Sequence, residues 1–118
     1  MFVLFPEQPS ASIDPPSKNY QARDTVSITC QVNGFPAPAI LWYKDGIQLE
    51  SDERISLDGS SLVIGYAQLL DAGEYECAVW NIAGQSRATV KLQYTGEQNA
   101  IMSIFKLVIT CLIMNSTY

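Results

Sequence analysis

The sequence predicts an all-β fold, a sandwich or barrel of short strands. Turn signals rich in Gly, Pro and Asp separate the candidate strands about every 8 to 12 residues. Between these turns polar and apolar residues alternate, which is the period of a strand with one buried face. No amphipathic helix of ordinary length fits residues 6–94. A chain of 118 residues is long enough for one hydrophobic core but not for two. We therefore expect a single β domain over residues 6–94.

The N-terminal part of this domain contains two predicted strands. Residues 6–16 are rich in proline and form an edge strand that residues 14–16 (Asp-Pro-Pro) interrupt. Prolines at a sheet edge discourage pairing with other chains. Residues 25–32 alternate, so that one side of this strand faces the core. The core-facing residues are Val26, Ile28, Cys30 and Val32.

Tight turns organise the middle of the domain. Residues 34–38 (Gly-Phe-Pro-Ala-Pro) break the previous strand, and residues 40–44 form the next one. Asp45-Gly46 then makes a strong two-residue hairpin signal. Residues 55–57 and Ser61–Ile64 are predicted as two short strands on either side of a second Asp-Gly turn.

Two longer alternating segments complete the predicted domain. They are Gly73–Asn81 and residues 87–92, separated by a turn at Ala83-Gly84. Their inward-facing residues are Tyr75, Cys77, Val79, Ala88, Val90 and Leu92.

The composition changes at both ends of the domain. Residues 1–5 are an apolar leader that we place outside it. Residues 95–118 begin as a polar linker and continue as a short apolar tail with Lys106 near its middle; as a helix the apolar part spans about 22 Å, less than the roughly 30 Å of a bilayer core. Asn115 begins a glycosylation sequon in this tail. We expect an irregular appendage here, while contact with a membrane and extra packing on the domain stay open.

Charge and composition exclude several classes of function. The net charge is −5 and the isoelectric point is near 4.4, whereas binding to nucleic acid or anionic lipid needs clustered Lys and Arg. The sequence contains no histidine, which removes the usual base of nucleophilic catalysis and a common metal ligand. We expect no enzymatic activity, no cofactor, no metal site and no small-molecule substrate.

Three cysteines, Cys30, Cys77 and Cys111, are compatible with one disulfide and one leftover thiol. They contain no Cys-x-x-Cys pair and are too few for a four-thiolate zinc site. A disulfide would indicate an oxidising compartment.

A spaced set of cysteines and aromatic residues carries a resemblance to a known family. Cys30 is followed by Trp42 and then by Asp71-Ala-Gly-Glu-Tyr75-Glu-Cys77, which resembles the signature of an immunoglobulin domain. Further segments resemble the I-set (intermediate) type; they are Gly34-Phe-Pro-Ala-Pro38, Trp42-Tyr-Lys-Asp-Gly46, Leu62-Val-Ile64, Ala67 and Cys77-Ala-Val-Trp-Asn-Ile-Ala-Gly84. The resemblance covers residues 6–94 and is to the repeats of hemicentin-, peroxidasin- or papilin-like matrix and cell-adhesion proteins.

This resemblance implies a fold and structural roles for the matching residues. The fold is a two-sheet antiparallel Greek-key β-sandwich, in which a Cys30–Cys77 disulfide joins the sheets and Trp42 packs against it. Further structural roles are implied for Tyr75 (a corner hydrogen bond to the backbone), Leu62 (a core contact with Trp42), and Arg54 and Asp71 (an ion pair).

One surface is a candidate for binding a partner. Alternation places Leu41 and Tyr43 on the side of their strand opposite Trp42, outside the sandwich, and the same rule places Trp80 and Arg87 outside. An exposed Trp beside Tyr and Arg is the residue mix of interface hot spots. The alternatives are packing against a neighbouring domain and a lone exposed Trp80 without a role.

The sequence therefore predicts a non-catalytic protein-recognition module, one repeat of a larger cell-adhesion or extracellular-matrix protein. Its expected partners are proteins, either copies of itself, other proteins or neighbouring immunoglobulin domains, and its expected location is outside the cell. Two alternatives stay open: a titin-like intracellular spacer with reduced cysteines, and an accessory domain of a multidomain enzyme.

Overall fold

Two layers of β-strands form a sandwich in the computed structural model, which describes residues 5–95, 108–109 and 111–112. The strands of residues 5–95 are β1 Glu7–Ser12, β2 Ser17–Tyr20, β3 Val26–Thr29, β4 Gln31–Phe35, β5 Ala39–Lys44, β6 Ile47–Gln48, β7 Ile55–Asp58, β8 Ser61–Ile64, β9 Gly73–Asn81 and β10 Gly84–Tyr94. A single 3-10 turn, Leu69–Asp71, precedes β9. The predicted all-β sandwich is confirmed.

The larger sheet contains β2, β10, β9, β5 and β6 in that order. The opposite layer contains the sheet β3-β8-β7 and the pair β1-β4. Pairing between the strands is antiparallel except for β2 and β10, which run parallel. The parallel pair arises because the N-terminal segment changes partner. β1 pairs with β4 up to Ser12, and after the proline-rich interruption at residues 14–16 the chain pairs with β10 from Ser17 as β2.

The strand predicted over residues 25–32 is in fact two strands, β3 and β4. The backbone N–H of Cys30, between them, donates a 2.8 Å hydrogen bond to the carbonyl of Ser60. Before Cys30 the chain pairs with β8, and after it the chain pairs with β1. The change of partner divides the strand, although the alternation of its side chains continues.

β4 also extends further than predicted, through residues that the sequence assigned to a strand break. Gly34 lies inside it with φ of +145°, and a Cβ there would lie 3.0 Å from Cα of Pro9 in β1. Glycine therefore allows β1 and β4 to approach closely at this point. The strand ends at Phe35, before Pro36.

β10 is longer than the predicted residues 87–92. It pairs with β9 along the register from Gly84↔Asn81 to Leu92↔Gly73. β2 and β6 were not predicted as strands. β6 follows the predicted turn, in which Asp45 and Gly46 both have positive φ (49° and 84°), as this hairpin geometry requires.

The hydrophobic core lies between the two layers. Its buried members are Tyr20, Val26, Ile28, Cys30, Trp42, Ile55, Leu62, Ile64, Ala67, Tyr75, Cys77, Val79, Val90 and Leu92. The indole Nε1 of Trp42 donates a 3.1 Å hydrogen bond to the carbonyl of Gly59, so Trp42 links β5 to the turn between β7 and β8 in the opposite layer.

The predicted leader and tail fall largely outside the described residues, as does the sequon at Asn115. Residues 108–109 and 111–112 are helical and exposed, and Cys111 among them carries a free thiol. Within the part of the chain that the structure describes, no helix is long and apolar enough to cross a membrane.

Candidate partner-binding face

Three neighbouring strands, β5, β9 and β10, present one continuous surface to solvent. β9 lies in the middle, and its register with the other two aligns the outward side chains in rows. The rows are Ala39–Trp80–Gln85, Leu41–Ala78–Arg87, Tyr43–Glu76–Thr89 and Glu74–Lys91. We call these residues the outer face. Intervening residues such as Trp42, Cys77 and Val79 are buried.

Trp80 is the largest side chain of the outer face and is 41 % exposed. It lines a shallow open depression of about 290 Å³ together with Tyr43, Glu76 and Arg87. On its other side Trp80 borders a second depression with the loop residue Ile82, which is itself highly exposed. An aromatic side chain between two concave surfaces is a typical anchor of a protein interface.

An ion pair lies at the centre of the outer face. Nη1 of Arg87 and Oε1 of Glu76 are 3.4 Å apart, and their side chains are 67 % and 24 % exposed. A pair this exposed adds little stability, typically about 0–1 kcal/mol. Both charged side chains line the same depression as Trp80.

The structure places on the outer face all four residues that the sequence proposed as partner-binding, and it brings three of them together. Tyr43, Trp80 and Arg87 line the same depression. Leu41 belongs to the same face but lies in the row of Ala78 and does not line the depression.

Sequence reasoning missed Gln85 and Ser86, which also line the depression. The predicted strand began two residues too late to include them. The turn predicted at Ala83-Gly84 lies one residue too late: the chain turns at Ile82-Ala83, so that Gly84 pairs with Asn81 and Gln85 pairs with Trp80.

Behind the outer face, the predicted core signature occupies the interior. A disulfide joins Cys30 and Cys77, whose Cα atoms are 6.4 Å apart, and it links the two layers. Trp42 pairs with Cys77 in the register of β5 and β9, and Leu62 is fully buried in the opposite layer. These buried residues pack behind β5 and β9 and connect them to the opposite layer.

The corner before β9 holds a network of buried polar groups. The hydroxyl of Tyr75 donates a 2.7 Å hydrogen bond to the backbone carbonyl of Asp71. The carboxylate of Asp71 accepts hydrogen bonds from Arg54 at 2.8 and 3.0 Å and from the backbone N–H of Gln68 at 2.8 Å. The hydroxyl of Tyr20 donates to the carbonyl of Gln68 at 2.6 Å.

This network determines the ionisation of its members. Burial alone would raise the pKa of Asp71, but the hydrogen bonds from Arg54 and Gln68 and the positive charges of Arg54 and Lys44 outweigh it and lower the pKa. Burial, and then the negative charge of Asp71, raises the pKa of Tyr75. Asp71 is thus held ionised, and both of its carboxylate oxygens already accept hydrogen bonds, which makes it a structural carboxylate and unsuited to act as a general base.

The described residues hold no group of three or more His, Cys, Asp or Glu side chains arranged to bind a metal ion. The residues that line the two depressions beside Trp80 include no His, Cys or Lys, and the carboxylate among them, Glu76, is paired with Arg87. The chemistry that the outer face offers is that of protein contact: aromatic area, an amide, hydroxyl groups and the ion pair between Glu76 and Arg87.

Comparison with known proteins agrees with this geometry. The family model described as "Immunoglobulin I-set domain" matches residues 9–94. The chain belongs to the immunoglobulin I-set family. The predicted resemblance is confirmed, and with it the sandwich fold and the disulfide between the sheets.

Relatives of this I-set domain include matrix and adhesion proteins. It is 35 % identical over 96 residues to hemicentin-2 of Mus musculus, covering 80 % of this chain and 2 % of the relative. It is 30 % identical over 100 residues to neural cell adhesion molecule 1 of Gallus gallus, covering 74 % of this chain and 9 % of the relative. The chain thus spans a small part of each of these relatives. An immunoglobulin repeat of this kind is a non-catalytic module.

Solved structures show the same fold. Extracellular domains 3–5 of Drosophila OTK match with a TM-score of 0.67 and 32 % identity, over 75 % of this chain and 32 % of that one.

Proposed function

We propose that this I-set domain is a recognition module of a cell-surface or matrix protein and that it binds a protein partner through the outer face. The observation that carries the proposal is the position of Trp80, which is 41 % exposed and lies between two depressions. Tyr43 and Arg87 line one of these depressions with it. Trp is highly buried on average, and it is enriched at interface hot spots together with Tyr and Arg.

The location outside the cell is supported by the disulfide and by the relatives. The Cys30–Cys77 bond is stable in an oxidising compartment and rare in the cytosol. Hemicentin-2 and neural cell adhesion molecule 1 belong to the matrix and adhesion proteins. Mass spectrometry of the thiols in native material tests this point: a Cys30–Cys77 disulfide supports an extracellular module, whereas two free thiols support the intracellular, titin-like spacer.

The boundaries of the domain are part of the proposal. Residues 6–94 form the recognition module, and residues 1–5 and 95–118 flank it. The match of the family model to residues 9–94 supports this division. An accessory role in a multidomain enzyme predicts a catalytic domain in the flanking sequence of the same gene, which transcript sequencing detects.

The binding role is tested with two pairs of substitutions. The purified chain is applied to cells and to the matrix that they deposit, and retention is measured for the wild type and for Trp80→Ala combined with Tyr43→Ala. We expect this pair to lose retention while its melting temperature stays close to that of the wild type. The matched control is Ile47→Ala with Leu70→Ala, which removes exposed apolar side chains (73 % and 78 % exposed) away from the outer face. Equal retention of both pairs contradicts the proposal.

A further inference from the structure

The charges on the outer face balance, although the chain as a whole is acidic. The net charge of the chain is −5, whereas the outer face carries Glu74 and Glu76 against Arg87 and Lys91. The excess of acidic side chains therefore lies elsewhere on the molecule. Two copies of this chain repel each other over most of their surface, but not where two outer faces meet.

Glu76 and Arg87 are placed so that the outer face is complementary to itself. They occupy neighbouring rows on adjacent strands, since Arg87 lies opposite Ala78 and Glu76 lies opposite Thr89. Within one chain they are 3.4 Å apart, and neither side chain is buried (67 % and 24 % exposed), so they can exchange partners without leaving a buried charge. A two-fold axis running along the sheet surface between them sets each Arg87 over the Glu76 of a second copy.

The same axis brings the aromatic side chains together. Adjacent strands are about 4.8 Å apart, and residues on one face of a strand repeat about every 6.8 Å. On this lattice, the operation that exchanges Arg87 and Glu76 carries Trp80 of one copy to the vicinity of Tyr43 of the other. The reverse contact forms by symmetry, so two aromatic pairs flank the two ion pairs.

We infer that the partner of the outer face is a second copy of this chain, bound face to face through reciprocal Arg87–Glu76 ion pairs flanked by Trp80 and Tyr43. The inference rests on the proposed function, because it names the partner of the same face. A contact that covers three strands buries an area at the small end of specific protein interfaces, so two free chains associate weakly. Many copies displayed on two facing surfaces associate strongly, because their contacts form together.

Charge reversal tests the inference. All chains carry Cys111→Ser, so that an intermolecular disulfide cannot form, and self-association is followed by sedimentation velocity and by aggregation of coated beads. We expect Arg87→Glu and Glu76→Arg each to weaken self-association about tenfold or more, because like charges then face each other. Mixing beads that carry the two variants restores aggregation, and so does placing both substitutions in one chain. The matched controls are Arg23→Glu and Glu53→Arg, which make the same charge changes away from the outer face and leave aggregation unchanged.

The outcomes separate this inference from the proposed function. Restoration only in the mixture and in the double variant supports the two-fold contact. A chain that does not self-associate, or whose association ignores both charge reversals, overturns the inference. If such a chain is still retained on cells and matrix through Trp80 and Tyr43, the proposed function stands and the partner is a different protein.

Discussion

Nη1 and Nη2 of Arg54 donate hydrogen bonds of 2.8 and 3.0 Å to the two carboxylate oxygens of Asp71. This contact ties the start of β7 to the 3-10 turn before β9, and thus the edge of one layer to the corner of the other. Arg54 also donates a 3.2 Å hydrogen bond to the carbonyl of Tyr66, which fixes the segment between β8 and the turn. The Asp71 side chain is 6 % exposed and that of Glu76 is 24 % exposed, so we expect the corner pair to stabilise the sandwich more than the pair on the outer face does.

Replacement of Arg54 by Met is expected to lower the free energy of unfolding by roughly 2–3 kcal/mol, because the buried carboxylate of Asp71 loses its charged partner. Urea unfolding followed by tryptophan fluorescence measures the loss. The matched control is Arg87→Met, which breaks the exposed ion pair with Glu76 and should change stability by less than about 1 kcal/mol. Similar losses in the two variants would contradict the ranking of these two pairs.

Asp71 also makes the domain sensitive to acid. Its pKa in the folded state lies below the ordinary 3.8, so its contribution to stability is complete above that value and is lost as the pH falls through the folded pKa. The pKa of Asp52 is lowered too, chiefly by backbone hydrogen bonds from Ile55 and Arg54, and it acts in the same direction. We expect the unfolding free energy to fall steeply below about pH 4 in the wild type and less steeply in Asp71→Asn. Urea unfolding at a series of pH values gives the two slopes; parallel curves would show that Asp71 does not contribute.

Tyr75→Phe removes the hydroxyl that satisfies the backbone carbonyl of Asp71. Tyr75 is fully buried and this hydrogen bond is 2.7 Å long, so we expect a loss of about 1–2 kcal/mol without a change of fold. Thermal unfolding monitored by circular dichroism measures it. Tyr66→Phe is the control, because it removes the same hydroxyl group from a residue that is 57 % exposed. A Tyr75→Phe melting temperature equal to that of the control would argue against the corner hydrogen bond.

Local alternation predicted most of the sandwich because the buried face of each long strand is continuous. Ser61–Ile64 and Gly73–Asn81 have the bounds that their side-chain pattern indicates. β2 was not predicted, because Ser17–Tyr20 has no alternating pattern and exists as a strand through its parallel pairing with the end of β10. Tyr20, its buried residue, is held by the distant carbonyl of Gln68, a contact that no local rule contains.

The outer face could be predicted as a set of outward residues but not as a surface. Alternation assigned Leu41, Tyr43, Trp80 and Arg87 to the outside one strand at a time. Which of them share a depression depends on the register between β5, β9 and β10, and register is a tertiary property. The same holds for the contact of Arg87 with Glu76, which lies on another strand.

Reduction of the Cys30–Cys77 disulfide is expected to destabilise the domain by about 4 kcal/mol, since the bond closes a loop with a sequence separation of 47 residues. Unfolding in urea with and without reductant measures the difference. Cys111→Ser provides the control, because the Cys111 thiol is exposed and free. That variant should unfold like the wild type under both conditions; a large shift in it would place Cys111 in the fold.

The last prediction concerns the contact between the backbone at Gly73 and the side chain of Asp45. Gly73, at the start of β9, has φ of +151°, and a Cβ there would lie 2.6 Å from Oδ2 of Asp45. Asp45 cannot move away freely, because its Oδ1 accepts a 2.9 Å hydrogen bond from the backbone N–H of Glu74. Gly73→Ala therefore combines a strained φ with the loss of this hydrogen bond, and we expect a loss of about 1–3 kcal/mol.

The matched control for this substitution is Gly65→Ala. A Cβ at Gly65 meets only the carbonyl of Arg54 at 3.6 Å, an ordinary contact, so this variant should keep the stability of the wild type within about 0.5 kcal/mol. Combining Asp45→Ala with Gly73→Ala relieves the clash but not the strain in φ. We therefore expect the double variant to lose less than the sum of the two single variants. Strict additivity would mean that the turn carrying Asp45 does not press on Gly73, and that the strain in φ alone explains the glycine.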